Sequence, residues 1–330
     1  MKKLEQIGFY TLSDERARTA SVLSPLSRCE MILTDKCNFS CPYCRGLRAD
    51  CAGDLPLSEA IGTINLWIKD KLKNIRFSGG EPSLYPYLNH LVKMCKLGNM
   101  EHIAVSTNGY ADFSLYEKLL NNGVNDFSIS LDACCSAVGD RMSGGVTGAW
   151  EQVVNTIRRL SELTYVSVGM VFTEENVSTC KESVLFADSL GVSDIRIIPS
   201  AQYNRSLIEL AKLPSDILEK YPILRYRVEN IRNVNKVRGL RDNDCKSCWL
   251  ALDDMAVAGR WHFPCIIYLR EGGEPIGKIG ANMREERFRW ILNHDSFADE
   301  ICSHNCLDVC AQYNNVAALT HSSDNMFFYK

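Results

Sequence analysis

Six short runs of β-forming residues, at 29–34, 74–77, 102–106, 126–130, 165–172 and 194–198, alternate with apolar-periodic segments at 58–71, 85–97, 114–121, 149–163 and 176–190. A strand followed by a helix-length segment returns to its sheet by a crossover rather than a hairpin, so the strands run parallel and the helices cover them. The expected class is α/β. After about residue 200 the pattern changes: 207–238 reads as helical, and past Asp244 the alternation stops. There Gly259 and Gly272-Gly273 punctuate turns, and cysteines recur at 245, 248, 265, 302, 306 and 310. The organisation expected is an N-terminal segment over 1–28, a core over 29–205, a helical linker over 206–243 and a cysteine-rich domain over 244–330.

At 330 residues, with 46% apolar and 23% charged side chains, the chain can bury a sizeable core and lacks the composition of a disordered one. No run approaches the ~18 apolar residues of a spanning helix, and the N-terminus holds no signal-peptide core, so a cytoplasmic protein without membrane contact is expected. A formal net charge of -3 gives no general footprint for nucleic acid, and none is expected as a partner. The local exception runs from Lys220 to Arg241, where seven Lys and Arg stand against Glu229. A solvated helix face or linker is the expected reading there, and anion binding the alternative. Fifteen cysteines without an export signal point to metal or redox chemistry rather than a disulfide framework.

Directly after the first strand, Cys37, Cys41 and Cys44 form a C-x3-C-x2-C run on a loop. At this cysteine frequency such a triplet arises by chance roughly 0.03 times per chain. Three thiolates so close can wrap one face of an iron–sulfur cube and leave its fourth iron open, as a catalytic cluster requires. Zinc is the alternative, although four-thiolate zinc sites normally use paired C-x2-C knuckles. One βα unit later, Ser78-Gly79-Gly80-Glu81-Pro82 ends the second strand. Its glycines would allow close backbone approach to a ligand, and Glu81 could pair with an ammonium group.

Together these elements resemble the radical S-adenosylmethionine (SAM) superfamily, over residues from about 29 to 200. The resemblance implies a partial (β/α)6 TIM-like barrel with SAM across the carboxyl ends of the strands. It implies a [4Fe–4S] cluster on Cys37, Cys41 and Cys44, with the aromatic Tyr43 before the last of them. Gly79, Gly80 and Glu81 look like the motif for the amino group of SAM. Asn108, in Thr107-Asn108-Gly109, together with Ser130 and Asp132, falls where relatives place polar contacts near SAM. Arg141, ahead of Gly144-Gly145 and Gly148, resembles an arginine aimed at the SAM carboxylate. In such enzymes an electron, delivered by a donor such as flavodoxin or ferredoxin, leads to cleavage of SAM, and a 5′-deoxyadenosyl radical then abstracts a substrate hydrogen.

The late cysteines resemble the SPASM and twitch extensions of the same superfamily, which hold auxiliary [4Fe–4S] clusters. Residues 252–265 read as a hairpin that turns at Gly259 and brings Cys265 beside Cys248. Six late cysteines are too few for the two clusters of a full SPASM extension, so one auxiliary cluster is expected, on Cys245, Cys248, Cys265 and Cys310. Cys302 and Cys306 remain open, as competitors for the fourth position, ligands of part of a second cluster, or thiol hydrogen donors. Zinc stays open at this site too. Cys29, Cys51, Cys95 and Cys180 read as small buried hydrophobes, while Cys134 and Cys135 stand at the carboxyl end of a strand, where α/β folds place their sites.

The function implied is radical SAM chemistry on a small molecule or peptide, with oxidation (dehydrogenation or bond formation) preferred. Radical epimerisation through a cysteine donor is one alternative; a non-catalytic iron–sulfur or zinc-binding protein is another. The 28 residues before Cys29 are too few for a leader-binding domain, since chains below ~40 residues rarely fold alone, which favours a small molecule or a leader-independent peptide.

Overall fold

The computed structural model describes residue 12 and residues 15–200 and 207–323. Six strands, β1 (Arg28–Ile32), β2 (Asn74–Ser78), β3 (His102–Thr107), β4 (Asp126–Ser130), β5 (Tyr165–Phe172) and β6 (Asp194–Pro199), pair in sequence order and all run parallel. Their apolar side chains are buried on both faces, as a parallel sheet covered by helices requires; Met31, Phe77, Phe127, Val168 and Phe172 are within the core. Helices Leu57–Lys69, Leu88–Leu97, Phe113–Asn122, Ala149–Ser161 and Cys180–Ser189 fill the crossovers close to the expected places. The third of these shows how the sequence sets its limits. Asp112 accepts the Ser114 N–H at 2.9 Å at one end, and Gly123, at φ +120°, ends the other. A short helix, Ser136–Met142, was not foreseen.

The partial barrel does not stop at β1. Strand β7 (Asp254–Ala258) pairs parallel with it, Arg28 opposite Asp254, and β8 (Trp261–Phe263) and β9 (Gly277–Lys278) extend the sheet antiparallel to nine strands. The expected hairpin turn falls at Gly259, at φ +55°. A buried ion pair crosses the same junction, with Arg28 Nη2 donating to Asp253 Oδ2 at 2.9 Å. The cysteine-rich region is thus built onto the open edge of the core sheet.

The expected boundary at 205/206 lies outside the described residues, as do 1–11, 13 and 14 of the N-terminal segment. Over 207–243 the chain forms the helices Ser215–Lys220 and Pro222–Arg232. Pro222–Arg232 buries Ile223, Leu224, Val228 and Ile231, and also Arg227. Arg238 is buried as well, and its backbone bridges to Leu307 beside the last cysteines. The expectation of a solvated face fails for those two arginines, because apolar neighbours on the same helix and loop carry them inward. Among the described residues no helix is long and apolar enough to cross a membrane.

Candidate functional site

Because β1 and β2 are adjacent and parallel, with Ile32 opposite Ser78, their carboxyl ends deliver the cysteine loop and the Gly-Gly-Glu turn to one place. Contact between the two is backbone on backbone. Leu33 N donates to Ser78 O at 2.8 Å, Gly80 N to Thr34 O at 2.7 Å and Glu81 N to Lys36 O at 2.8 Å. A Cβ on Gly80 would stand 2.3 Å from Lys36 O, and one on Gly79 2.4 Å from Thr34 O. The close approach expected of a ligand is therefore made first by the cysteine loop itself.

Glu81 is fully buried. Its Oε1 accepts from Thr107 Oγ1 at 2.7 Å and Ser83 N at 2.9 Å, and its Oε2 from Asn108 N at 2.7 Å. Burial raises its pKa, and the N–H groups of Asn108 and Ser83 oppose the rise. The carboxylate ties the turn to the end of β3 through three protein donors, two on Oε1 and one on Oε2.

Three more contacts hold the loop. Asn108 Nδ2 donates to Asn38 Oδ1 at 2.7 Å, Tyr43 OH to Asp132 Oδ2 at 2.5 Å, and Ser40 N to Ser143 O at 3.0 Å. Gly144, at φ +90°, permits the last, because a Cβ there would lie 2.8 Å from Ser40 O. Asp132 is buried, which pushes its carboxyl up to about 6. Burial, and next the charge of Asp132, push the Cys41 thiol up to about 12. Cys37 and Cys44 are exposed. Ser130 is exposed at the end of β4, and Arg141, exposed on Ser136–Met142, pairs with Glu175 at 3.5 Å.

The late thiols converge from separate elements. Cys248 precedes the turn Trp249–Leu252, Cys265 caps the helix Ile266–Arg270, Cys302 and Cys306 belong to the helix Glu300–Asn305 and its end, and Cys310 lies in the first turn of Asp308–Ser323. Burial disfavours the thiolates most, pushing Cys248 up to about 11 and Cys310 up to about 12. Repulsion between thiolates adds to it. All six pairs among Cys248, Cys265, Cys306 and Cys310 are close enough to feel that repulsion. Cys302 shares it with Cys248, Cys265 and Cys306 and lies 3.4 Å from His294 Nε2. Cys245 Sγ accepts the Ser247 N–H at 3.4 Å. Buried thiols that oppose one another's ionisation suit a polycationic iron–sulfur core, which takes them all as thiolates.

Zinc fits less well. Bonds of ~2.3 Å in a tetrahedron put the sulfurs about 3.8 Å apart. Among the described residues the only three-donor group within 4.8 Å is His294, Asp299 and Cys302, with no three thiols so close.

A cavity of about 650 Å³ joins the two sites, its wall including Tyr43, Cys44 and Gly79 from one and Cys265 and Cys310 from the other. Sequence reasoning missed much of what surrounds it. Asn314, one turn after Cys310, accepts the Leu250 N–H at 2.8 Å and holds the Cys248 turn, and the i, i+4 spacing was the available signal. Arg76 and Arg196 also line the cavity; a guanidinium in the middle of a strand of a parallel sheet, between two isoleucines or an isoleucine and a phenylalanine, was the sign that one face of that strand was not core.

A sequence profile of the Radical SAM superfamily matches residues 31–187. Among curated proteins, a "Probable GTP 3′,8-cyclase" of Metallosphaera sedula is 24% identical over 267 residues, covering 71% of this chain and 83% of that protein. The protein of that name from Methanocaldococcus jannaschii is 29% identical over 189 residues, covering 54% and 63%. Among solved structures, Streptococcus suis SuiB bound to its precursor peptide SuiA has a TM-score of 0.60 at 12% identity, covering 89% of this chain and 78% of that one. anSMEcpe, with bound AdoMet and a Cp18Cys peptide, has a TM-score of 0.60 at 14% identity, covering 91% and 97%. The shared fold thus takes in both the barrel and the late cysteine region. With its cysteine triplet seated on a Gly-Gly-Glu turn across the first two strands of a partial barrel, the region 31–187 of the chain is a radical SAM superfamily domain.

Proposed function

We propose that the protein is a radical SAM oxidoreductase that takes two hydrogens in all from a substrate held between its two cysteine sites. The observation that carries this reading is the cavity whose wall includes Cys44 and Gly79 together with Cys265 and Cys310. When bound, a [4Fe–4S] cluster on Cys37, Cys41 and Cys44 with SAM would supply the 5′-deoxyadenosyl radical, and an auxiliary [4Fe–4S] cluster would supply an electron acceptor. The auxiliary ligands proposed are Cys245, Cys248, Cys265 and Cys310, of which the last three oppose one another's ionisation; Cys306, close to those three, competes for the fourth place. Backbone groups of Gly79 and Gly80, fixed by Glu81, orient the amino end of SAM. Asn108, Tyr43 and Asp132 hold the cysteine loop to receive it. Ser130 and Arg141 supply polar contacts at the exposed rim, Arg141 to the carboxylate. A flavodoxin or ferredoxin donates the electron for SAM cleavage.

Oxidation is favoured over thiol donation by position. A hydrogen donor must reach the substrate carbon, and neither Cys302 nor Cys306 is part of the cavity wall. Turnover in deuterated buffer tests this. A product lighter by two hydrogens and free of solvent deuterium is expected, and a product of unchanged hydrogen count with deuterium at the reacting carbon would refute oxidation.

A further inference from the structure

We propose that the arginine-lined part of this cavity is the subsite for a polyanionic small-molecule substrate, one bearing phosphate or carboxylate groups. The proposal rests on the cavity being the radical site and adds the class of molecule held there. Six guanidiniums line the wall, those of Arg45, Arg76, Arg196, Arg227, Arg238 and Arg270, against three carboxylates, those of Glu30, Asp254 and Glu271. Three are balanced from behind by acids that do not line it: Arg76 by Asp126 at 3.8 Å, Arg196 by Asp194 at 3.1 Å and Arg227 by Asp308 at 3.2 Å.

The other three stand where the two sites meet. Arg45 follows Cys44, and Arg270 ends the helix that Cys265 begins. Arg238 is brought in by Gly239 and Leu240, whose N–H groups bond Cys306 O and Ser303 O at 2.8 Å each. Arg45 and Arg238 both pair with the carboxylate of Glu271, and Arg238 also donates to Asn305 Oδ1 at 2.7 Å. Arg270 directs its fork at neutral carbonyls, Gly79 O at 2.6 Å and Gly46 O at 3.1 Å. Burial, then the charges of Arg45 and Arg227, depress the Arg238 pKa to about 10. Such crowding is unfavourable while the cavity holds only water. An oxyanion relieves it, because the planar guanidinium fork matches phosphate and carboxylate oxygens and the low-dielectric wall strengthens each contact. The basic stretch from Lys220 to Arg241 thus contributes Arg227 and Arg238 to the anion-binding role that its composition left open. A neutral polypeptide backbone offers these groups no matching charge.

The test is equilibrium dialysis of labelled pyrophosphate against the iron-reconstituted protein with SAM present, repeated with tricarballylate as competitor and with iron content followed in every sample. Saturable pyrophosphate binding that tricarballylate does not displace marks a phosphate ester as the source. Displacement, or binding of tricarballylate alone, marks a carboxylate. Arg45→Gln and Arg238→Gln should each weaken binding about tenfold or more with iron content unchanged. Arg45 is the safer variant, its side chain being 40% exposed. Arg159→Gln, which removes a guanidinium lying over the Phe113 ring, should leave affinity unchanged. Three outcomes overturn the proposal: no saturable binding of either anion by protein that still binds iron and SAM, equal affinity in Arg45→Gln and wild type, or loss of iron in Arg45→Gln, which would assign the positive charge to the clusters. Failure to bind iron and SAM at all would instead overturn the oxidoreductase reading beneath it.

Discussion

Replacing Gly80 by alanine puts one methyl group where the two halves of the SAM site touch. The new Cβ would lie 2.3 Å from Lys36 O and 2.5 Å from Asp35 O, both backbone atoms, so the cysteine loop must retreat by about 1 Å to reach an ordinary contact. Overpacking of this kind costs ~1–3 kcal/mol. The retreat also strains the Gly80 N to Thr34 O and Glu81 N to Lys36 O hydrogen bonds, at about 1 kcal/mol each. The local penalty is then about 3–5 kcal/mol. In catalysis the displacement matters more, since a shift of ~1 Å in a positioned group costs on the order of 100-fold in rate. The assay is the rate of 5′-deoxyadenosine release from anaerobically reconstituted protein, alongside Tm and iron content. Gly62→Ala is the control, because that helical position has nothing within 4 Å of a Cβ and alanine favours the helix. SAM cleavage by Gly80→Ala within twofold of wild type would refute the claim that the turn works by docking the cysteine loop.

Alanine at Cys37 or Cys41 should abolish SAM cleavage and leave about four irons per chain, whereas Cys265→Ala should lose the auxiliary irons and retain about four by iron assay. Arg28→Ala, which removes the charged hydrogen bond to the buried Asp253 carboxylate and leaves it Arg16 at 3.7 Å, should cost about 1.5–3 kcal/mol in urea denaturation. His262 is buried on β8 beside Arg287, and burial, then that charge, depress its pKa to about 4. Between the ordinary histidine value near 6.5 and about 4 the unfolded chain therefore binds more protons than the folded one, so stability should fall as pH drops through that window. His262→Gln should flatten this part of the Tm–pH curve; an unchanged slope would contradict the assignment.

The parallel core was legible because strand period, helix period and turn signals agreed from β1 to β6, and the cysteine triplet was legible because its spacing is rare. What the sequence hid was reciprocity. Glu81, Asn108 and Asp132 are polar residues at strand ends, and spacing alone cannot distinguish a side chain facing a ligand from one bonded to a neighbouring loop. Here Asn38, Ser83, Thr107 and Tyr43 complete those bonds from elsewhere in the chain. The late cysteines posed the same difficulty at longer range. The spacing of Cys245, Cys248, Cys265 and Cys310 could not show that Cys306 lies close to the last three, in a group assembled by the pairing of β7 with β1 and by the helix Asp308–Ser323. The burial of Arg227 and Arg238 was hidden because a basic composition usually marks solvent exposure, and here apolar neighbours on each side carried the charges inward.

The central claim, two iron–sulfur sites opening on one radical-generating cavity, is tested most directly by counting iron, sulfide and zinc per chain in anaerobically purified protein, then adding SAM and dithionite to the same sample. The account expects about eight irons and about eight sulfides with release of 5′-deoxyadenosine. Stoichiometric zinc, little iron and intact SAM would contradict it.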